Sequence, residues 1–594
     1  MTVNKRIELL REAMKAGNIR ACIIPSTDSH ISEYTPEHWK TRKWISGFSG
    51  SAGTVVVTTD KAGLWTDSRY FLQAADQLQG TDIRLFKMGL PDTPTFTDWL
   101  AGELSTGDTV GIEGAVFAAS EAQSLIRFFT KKNIRVNSAF APYDSIWNDR
   151  PAIPGNHTFI LTEPFAGMSA RKKIKQTVQA IQKEGAEQTI LAALDTIAWL
   201  FNLRGNDVEY NPVAVSFAAV SEKETVLFIK PEKLTQEVRD YLTEEGVVLA
   251  DYEKITGYVK QIPAGTKLLV TPAKINYQLY TAIPETVSVI ETNVHPADQL
   301  KSIKNETEIA GIRNAMQRDG VALVKFLIDL EKTLAAGETV TELDISRKLR
   351  RYRSEQAHYV GESFGTIAGY GPHGAIVHYG ATEETNATIL PEGILLVDSG
   401  AQYFDGTTDI TRTLAVGNVS PEMKKDYTNV LKGHIALATA RFPRGTTGMQ
   451  LDALARQFLW QNATNYMHGT GHGVGFFLNV HEGPQNIRME YNPTLLQPGM
   501  LTSNEPGLYR TNAYGIRIEN LILTRHDQTT EFGDFYAFET LTLCPIDKKL
   551  IDRSLLNEAE TGWLNAYHQK VYESLSPFLS EEEKTWLKQQ TNEI

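Results

Sequence analysis

Cysteine is almost absent: Cys22 and Cys544 are the only two in 594 residues. That excludes a disulfide framework and a zinc cage built from thiolates. Long apolar runs are missing as well. No stretch approaches the ~20 residues of a membrane span, and the opening MTVNKRIELLREAMKAGN reads as a charged amphipathic helix, not a signal segment. Positive charge is in short supply, with 59 Lys and Arg against 71 Asp and Glu and a formal net charge of −12. No basic stripe carries interleaved aromatics, so neither nucleic acid nor a membrane is an expected partner, and the expected location is cytoplasmic. The remainder is ordinary globular composition, 42% apolar and 22% charged, on a chain long enough for about three or four domains.

Three stretches organise that length. Residues 1–155 alternate helical and strand patterns, as in ACIIPS, GTVVVTT and AGLWTDSRYFLQAAD, and close on the Pro-rich NDRPAIPGN. Residues 156–300 repeat an α/β pattern. MKAGNIRACIIPSTDSHI and QKEGAEQTILAALDTIAW share a glycine-ended helix, an apolar strand and an aspartate, offset by about 168 residues, a duplication signal. Residues 301–594 open on KSIKNETEIAGIRNAMQRDGVALVKFLIDLEKTL, where Ile309, Ile312, Met316, Leu323, Phe326, Leu327 and Leu330 fall on one helical face.

Chemical character is concentrated in this third stretch. DSGAQYFDGTTDITRT places Asp398 and Asp409 on the two arms of a hairpin, although strands disfavour aspartate. Singly, one would cap the turn and the other face solvent. MHGTGHGVGFFLNVHEGPQ holds His468, His472 and His481. Four glycines in the eight residues from His468 to Gly475, each costing about 1 kcal/mol in a helix, make this stretch extended or looped, and it is not the helical H-E-x-x-H motif. In SNEPGLY, Glu505 precedes a proline and is pushed toward extended geometry. In YGIRIENLILT, alternation puts Ile516 and Ile518 on one face and Arg517 and Glu519 on the other, where a surface ion pair is the plain alternative.

Asp398, Asp409, His472, Glu505 and Glu519 together make a different case. Four converging carboxylates would repel, and two divalent cations would cancel their charge. An oxygen-rich set with one nitrogen and no sulfur suits Mn²⁺, Co²⁺, Fe²⁺ or Zn²⁺. A hairpin centred near Tyr403 and Phe404 would set the aspartates opposite each other, with Gly406 available for a bulge. A tight turn on Asp405 and Gly406 would offset them by about four residues, roughly 13 Å.

These residues resemble the pita-bread dinuclear metallopeptidases, and within them the long, three-domain Xaa-Pro aminopeptidases. The motifs GAIVHYG, LLVDSGAQYFDGTTDITRT, HGTGHGVGFFLNVHEGP, SNEPGLY and GIRIENL carry the resemblance. It extends to WISGFSGSAGTVVVTTDKAGLWTDSRYFLQAAD and to LTLCPIDKKLIDRSLLNEAETGWLNAYHQKV, so nearly the whole chain is covered. The resemblance implies an α/β and α+β fold, with two creatinase-like amino-terminal α/β domains before a pita-bread catalytic domain, and a homodimer. It implies hydrolysis of the bond between an N-terminal residue and a penultimate proline through a metal-bridging hydroxide, on peptides with that signature. The cofactor implied is a pair of divalent ions, Mn²⁺ first, with Zn²⁺ or Co²⁺ as alternatives.

By the same resemblance, Asp398 binds one metal through both oxygens, Asp409 and Glu519 bridge, and His472 and Glu505 hold the second. Glu505 also relays a proton. His378 stabilises the tetrahedral intermediate, His481 contacts the substrate carbonyl, His468 lines the proline side and Arg517 supports a ligand carboxylate. Arg69 in DSRYF reaches substrate or forms a structural ion pair. His373 departs from the family's pattern by standing where asparagine is expected, in a loop that touches no ligand. GESFG around Ser363 fits a serine-hydrolase elbow, but the helix precedes it and the strand follows, the reverse of that motif's context. A metal-free scaffold would have lost ligands that are present here, and prolidase lacks the extra amino-terminal domain.

Overall fold

The computed structural model describes residues 1–594. The chain forms two compact units, one of Met1–Leu161 with Met168–Ala297 and one of Thr162–Gly167 with Asp298–Ile594. No helix is long and apolar enough to cross a membrane.

The first unit holds two six-stranded sheets of identical topology. One runs Ile83–Lys87, Ala62–Thr66, Thr54–Thr58, Ala21–Ile24, Thr109–Gly111, Arg135–Asn137. The other runs Val247–Ala250, Thr225–Ile229, Ser216–Ser221, Gln188–Leu191, Lys267–Val270, Ser288–Glu291. In each, the central strand is antiparallel to its neighbour on one side and parallel on the other. Both central strands are buried along their whole length, which is why they read as apolar runs without alternation. Each is preceded by a capped 14-residue helix, Val3–Ala16 on Thr2 and Ala170–Lys183 on Ser169. The duplication read from sequence is therefore a repeat of a whole helix–strand unit.

The second unit wraps helices around short, mostly antiparallel sheets. Its first long helix, Glu306–Ala335, starts in a capping box between Asn305 and Glu308 and runs for 30 residues. Six of the seven apolar positions read as one face are buried, and Leu327 packs against the core from partial burial. A six-stranded sheet runs Arg441–Pro443, Gly533–Thr540, Asn520–Thr530, Leu501–Asn504, Gly471–Gly473, Glu482–Ile487. A three-stranded one runs Ile367–Tyr370, Ile394–Ser399, Ile410–Ala415. The helices Pro421–Ala438 and Glu558–Leu575 contribute to one apolar core with Ile516 and Ile518.

One buried polar cluster locks an edge of this unit. Glu482 accepts from Lys301 at 2.8 Å and from Lys304, and all three are almost fully buried. Glu482 directly follows His481 and is in register with Gly473, beside His472. Replacing it by alanine takes away the carboxylate that two buried ammonium groups share, so Glu482→Ala will destabilise the fold by about 3–5 kcal/mol. Chemical unfolding measures this, and a loss under about 1 kcal/mol would mean that the lysines reach water instead.

Candidate metal centre

Asp398 sits near the end of Ile394–Ser399, which pairs antiparallel with Ile410–Ala415. Asp398 faces Thr411, so Asp409 lies two residues beyond that direct partner. The turn falls on Phe404 and Asp405, because Tyr403 pairs with Gly406. The expectation of a hairpin centred on Tyr403 and Phe404 is thus corrected by one residue. Two aspartates in this register are diagonal neighbours on one sheet face, about 7–8 Å apart, close enough to serve one site. At the crossing point the backbones touch: a Cβ on Gly400 would lie 2.0 Å from the Thr408 carbonyl oxygen, so only glycine fits.

His472 is the middle residue of Gly471–Gly473, confirming an extended segment. A Cβ on Gly471 would stand 2.0 Å from the Ser503 carbonyl oxygen, so glycine lets this strand lie against Leu501–Asn504. His472 Nδ1 donates to the Gly473 carbonyl at 2.9 Å, so Nε2 is the ring nitrogen that faces the carboxylates. Nε2 is 3.4 Å from Asp409 Oδ2 and 3.4 Å from Glu505 Oε1. Glu505 is held by its backbone N–H on Thr470 and by the Ser503 hydroxyl. Glu519 accepts from Thr411 Oγ1 at 2.8 Å. Ligand atoms of Asp409, His472 and Glu519 all lie within 4.8 Å of one another. Asp398 Oδ2 accepts from Arg517 at 2.6 Å, while its Oδ1 is buried with no hydrogen-bond partner.

That orphaned oxygen fits a cation, and so do the electrostatics. Burial raises Glu505 to about 7, with Asp409 and Asp398 adding and His472 only partly offsetting. Burial and the charges of Asp409, Glu505 and Asp398 push Glu519 well above the carboxylate range. Burial raises Asp398 too, against the pull of Arg517. Burial alone would lower His472, but its hydrogen bond to Asp409 and the charge of Glu505 overcome this and raise it to about 9. Without cations, protons must take up the excess charge, which is the signature of an acidic cluster built to hold metal.

The other residues singled out in the sequence divide between contacts with this cluster and positions away from it. His481 stacks edge-on against His472, ring centroids 4.3 Å apart. His468 Nε2 is 2.8 Å from the Tyr509 hydroxyl, which accepts from Arg517 at 2.7 Å. Arg517 thus ties His468 to Asp398. Tyr509 is a residue the sequence reading missed; its signal lay in the period-two alternation of the hairpin Gly507–Arg510 and Tyr514–Arg517, which puts Tyr509 and Arg517 on one face. His378 lies half-buried in the turn after a short 3₁₀ segment, and the preceding carbonyl of Val377 accepts from Arg517. His373 pairs with buried Glu342 at 2.8 Å and stacks on Tyr379, away from the ligands as expected. Ser363 spends its hydroxyl on the Thr408 carbonyl and is no nucleophile. Arg69 belongs to the first unit and forms a two-pronged pair with Asp67.

Residues 310–526 match the model of metallopeptidase family M24, and 534–594 that of the C-terminal region of peptidase_M24. Residues 6–141 and 149–308 each match a Creatinase/Prolidase N-terminal domain. A probable Xaa-Pro aminopeptidase P of Coprinopsis cinerea is 43% identical over 614 residues, covering 100% of this chain and 98% of the relative. The chain belongs to this family. The Sordaria macrospora member is likewise 43% identical over 615 residues, covering 100% of both chains. The crystal structure of an X-prolyl aminopeptidase from Caenorhabditis elegans, described as a cytosolic enzyme with a di-nuclear active site, superimposes with a TM-score of 0.95 at 35% identity, covering 100% of both chains. The architecture of this family member is two creatinase-like domains followed by a pita-bread catalytic domain.

Proposed function

We propose that this protein is a metal-dependent aminopeptidase that hydrolyses the bond between an N-terminal residue and a penultimate proline. The observation that carries the reading is the convergence of Asp409, His472 and Glu519, with Glu505 3.4 Å from the same imidazole nitrogen. Asp398, Asp409, His472, Glu505 and Glu519 would hold two divalent cations. The carboxylate majority favours Mn²⁺ over Zn²⁺ or Co²⁺. Such cations, when bound, supply Lewis acidity and a water that is nucleophilic at neutral pH.

The chain's own groups do the rest. A Glu505 carboxylate oxygen takes a proton from the attacking water and delivers it to the proline nitrogen as the C–N bond breaks. His378 donates to the oxygen on which negative charge develops, and His481 contacts the substrate carbonyl. His468, oriented by Tyr509, lines the proline side, and Arg517 holds Asp398 in place. The division into 1–155, 156–300 and 301–594, the cytoplasmic location and a homodimeric assembly complete the reading.

The free amine offers a nitrogen that the cations or carboxylates can take, and proline brings a compact ring without an N–H. Alanine in its place introduces a donor that costs about 1–3 kcal/mol when buried unpaired, or one to two decades of kcat/KM. Hydrolysis of Xaa-Pro-Pro should therefore exceed that of Xaa-Ala-Pro by that margin, and acetyl-Xaa-Pro-Pro and the dipeptide Xaa-Pro should be poor substrates. Comparable rates on all four at equal concentration would mean a general peptidase.

A further inference from the structure

Behind the carboxylate cluster lies a second set of buried polar side chains that the proposed chemistry does not use. Its centre is Arg412, a buried cation with no carboxylate of its own. Nε donates to the Pro545 carbonyl at 3.0 Å, and Nη1 to the carbonyls of Thr411 at 2.9 Å and Glu519 at 2.7 Å. Nη2 donates to Asn520 Oδ1 at 2.8 Å, the Cys544 carbonyl at 2.9 Å and the Tyr567 hydroxyl at 2.9 Å. Asn520 Nδ2 reaches His434 Nε2 at 3.1 Å, and His434 Nδ1 reaches the Asn504 carbonyl at 3.1 Å. Asn504 returns a bond from its amide to the His434 carbonyl at 2.9 Å.

The direction of every link is determined. A guanidinium only donates, so the Asn520 oxygen must face it and the Asn520 amide must donate to His434. His434 then carries its proton on Nδ1 and donates onward. Burial, with the Arg412 charge, pushes His434 down to about 3, consistent with a neutral ring. Three of the residues so linked stand beside the proposed metal set: Thr411 gives its hydroxyl to Glu519, Asn504 precedes Glu505, and Asn520 follows Glu519. Asn504 and Asn520 are cross-strand partners, so His434 braces both strands at the level where their carboxylates emerge.

We propose that His434, Asn520 and Tyr567, acting through Arg412, are positioning residues of the metal centre, and that the helix Glu558–Leu575, which carries Tyr567, is a working part of that centre. The inference rests on the metal reading above. A helix about 170 residues beyond Asp398 in the chain touches no ligand, yet its hydroxyl fixes the cation that fixes the Glu519 and Thr411 carbonyls.

The test is Mn²⁺ titration of metal-free full-length protein by calorimetry, with the electron paramagnetic resonance spectrum of the bound Mn²⁺ and kcat and KM on Xaa-Pro-Pro. His434→Gln keeps an acceptor for Asn520 and loses the donor to Asn504. It should weaken Mn²⁺ binding by about 10- to 100-fold and alter the spectrum, and kcat should fall with KM held within about twofold. Tyr567→Phe removes one hydroxyl and should move both quantities the same way, by about three- to tenfold. The double variant should lose less than the product of the two, because both act on one chain of bonds. Wild-type affinity, spectrum and kcat in both variants, with only Tm lowered, would overturn the proposal and leave the network a packing feature. If His434→Gln does not fold, Tyr567→Phe decides alone. Wild-type protein that takes up no Mn²⁺ overturns the metal reading itself, and the proposal with it.

Discussion

Removing divalent cations with a chelator will abolish turnover, and added Mn²⁺ will restore it. The loss should be roughly 10³-fold or more, since a bound cation contributes several kcal/mol of transition-state stabilisation and each 1.36 kcal/mol is tenfold in rate. Chelation should also reshape stability. In the metal-free protein Glu505 is raised from 4.5 to about 7 and His472 from 6.5 to about 9. Both groups bind protons more tightly in the folded chain, so their stabilisation is full below the unfolded values and is lost as pH rises through the folded ones. The metal-free fold should therefore weaken from pH about 4.5 to about 9, with both groups acting in the same direction. Cations need the deprotonated ligands, so the Mn²⁺-loaded protein should gain over the metal-free form as pH rises. Melting curves with chelator and with Mn²⁺ across this range check the sign. Parallel curves, or full activity without metal, would remove the cations from both chemistry and fold.

Much of this centre was legible in the sequence because metal ligands are local in pattern even when distant along the chain. Asp398, Asp409, His472, Glu505 and Glu519 stand in strand or turn contexts that disfavour charge or interrupt a helix, and the fold buries Asp398, Asp409 and Glu519 and sets half-buried His472 3.4 Å from both Asp409 and Glu505. The long helix and the duplicated α/β pattern followed from periodicity alone. The hairpin register did not. Ile394–Ser399 and Ile410–Ala415 pair in one sheet, while Ala401–Tyr403 and Gly406–Thr407 pair in another, and the switch at Gly400 leaves no periodic trace. The bracing set behind the site was invisible for a different reason. Arg412, His434, Asn520 and Tyr567 lie on separate elements, and a buried polar residue is recognisable only by its partners.

Glu505→Gln will separate chemistry from folding in opposite directions. Glutamine keeps the shape of the side chain, the backbone bond to Thr470 and an acceptor for the Ser503 hydroxyl. It cannot take a proton, and it removes one charge from the ligand set. The kcat on Xaa-Pro-Pro should fall by roughly 10²–10⁴. Metal-free Glu505→Gln should nevertheless be more stable than metal-free wild type at pH about 8, because a buried carboxylate pressed by Asp409 and Asp398 has been replaced by a neutral amide. Glu505→Asp provides the contrast. It preserves charge and proton acceptor but draws the carboxylate back by one methylene, so it should recover part of the rate without the gain in metal-free stability. Near-wild-type turnover in Glu505→Gln would take this residue out of the reaction. A loss of rate accompanied by a loss of metal-free stability would mean that Glu505 holds the fold together and that the repulsion inferred for the cluster is relieved some other way.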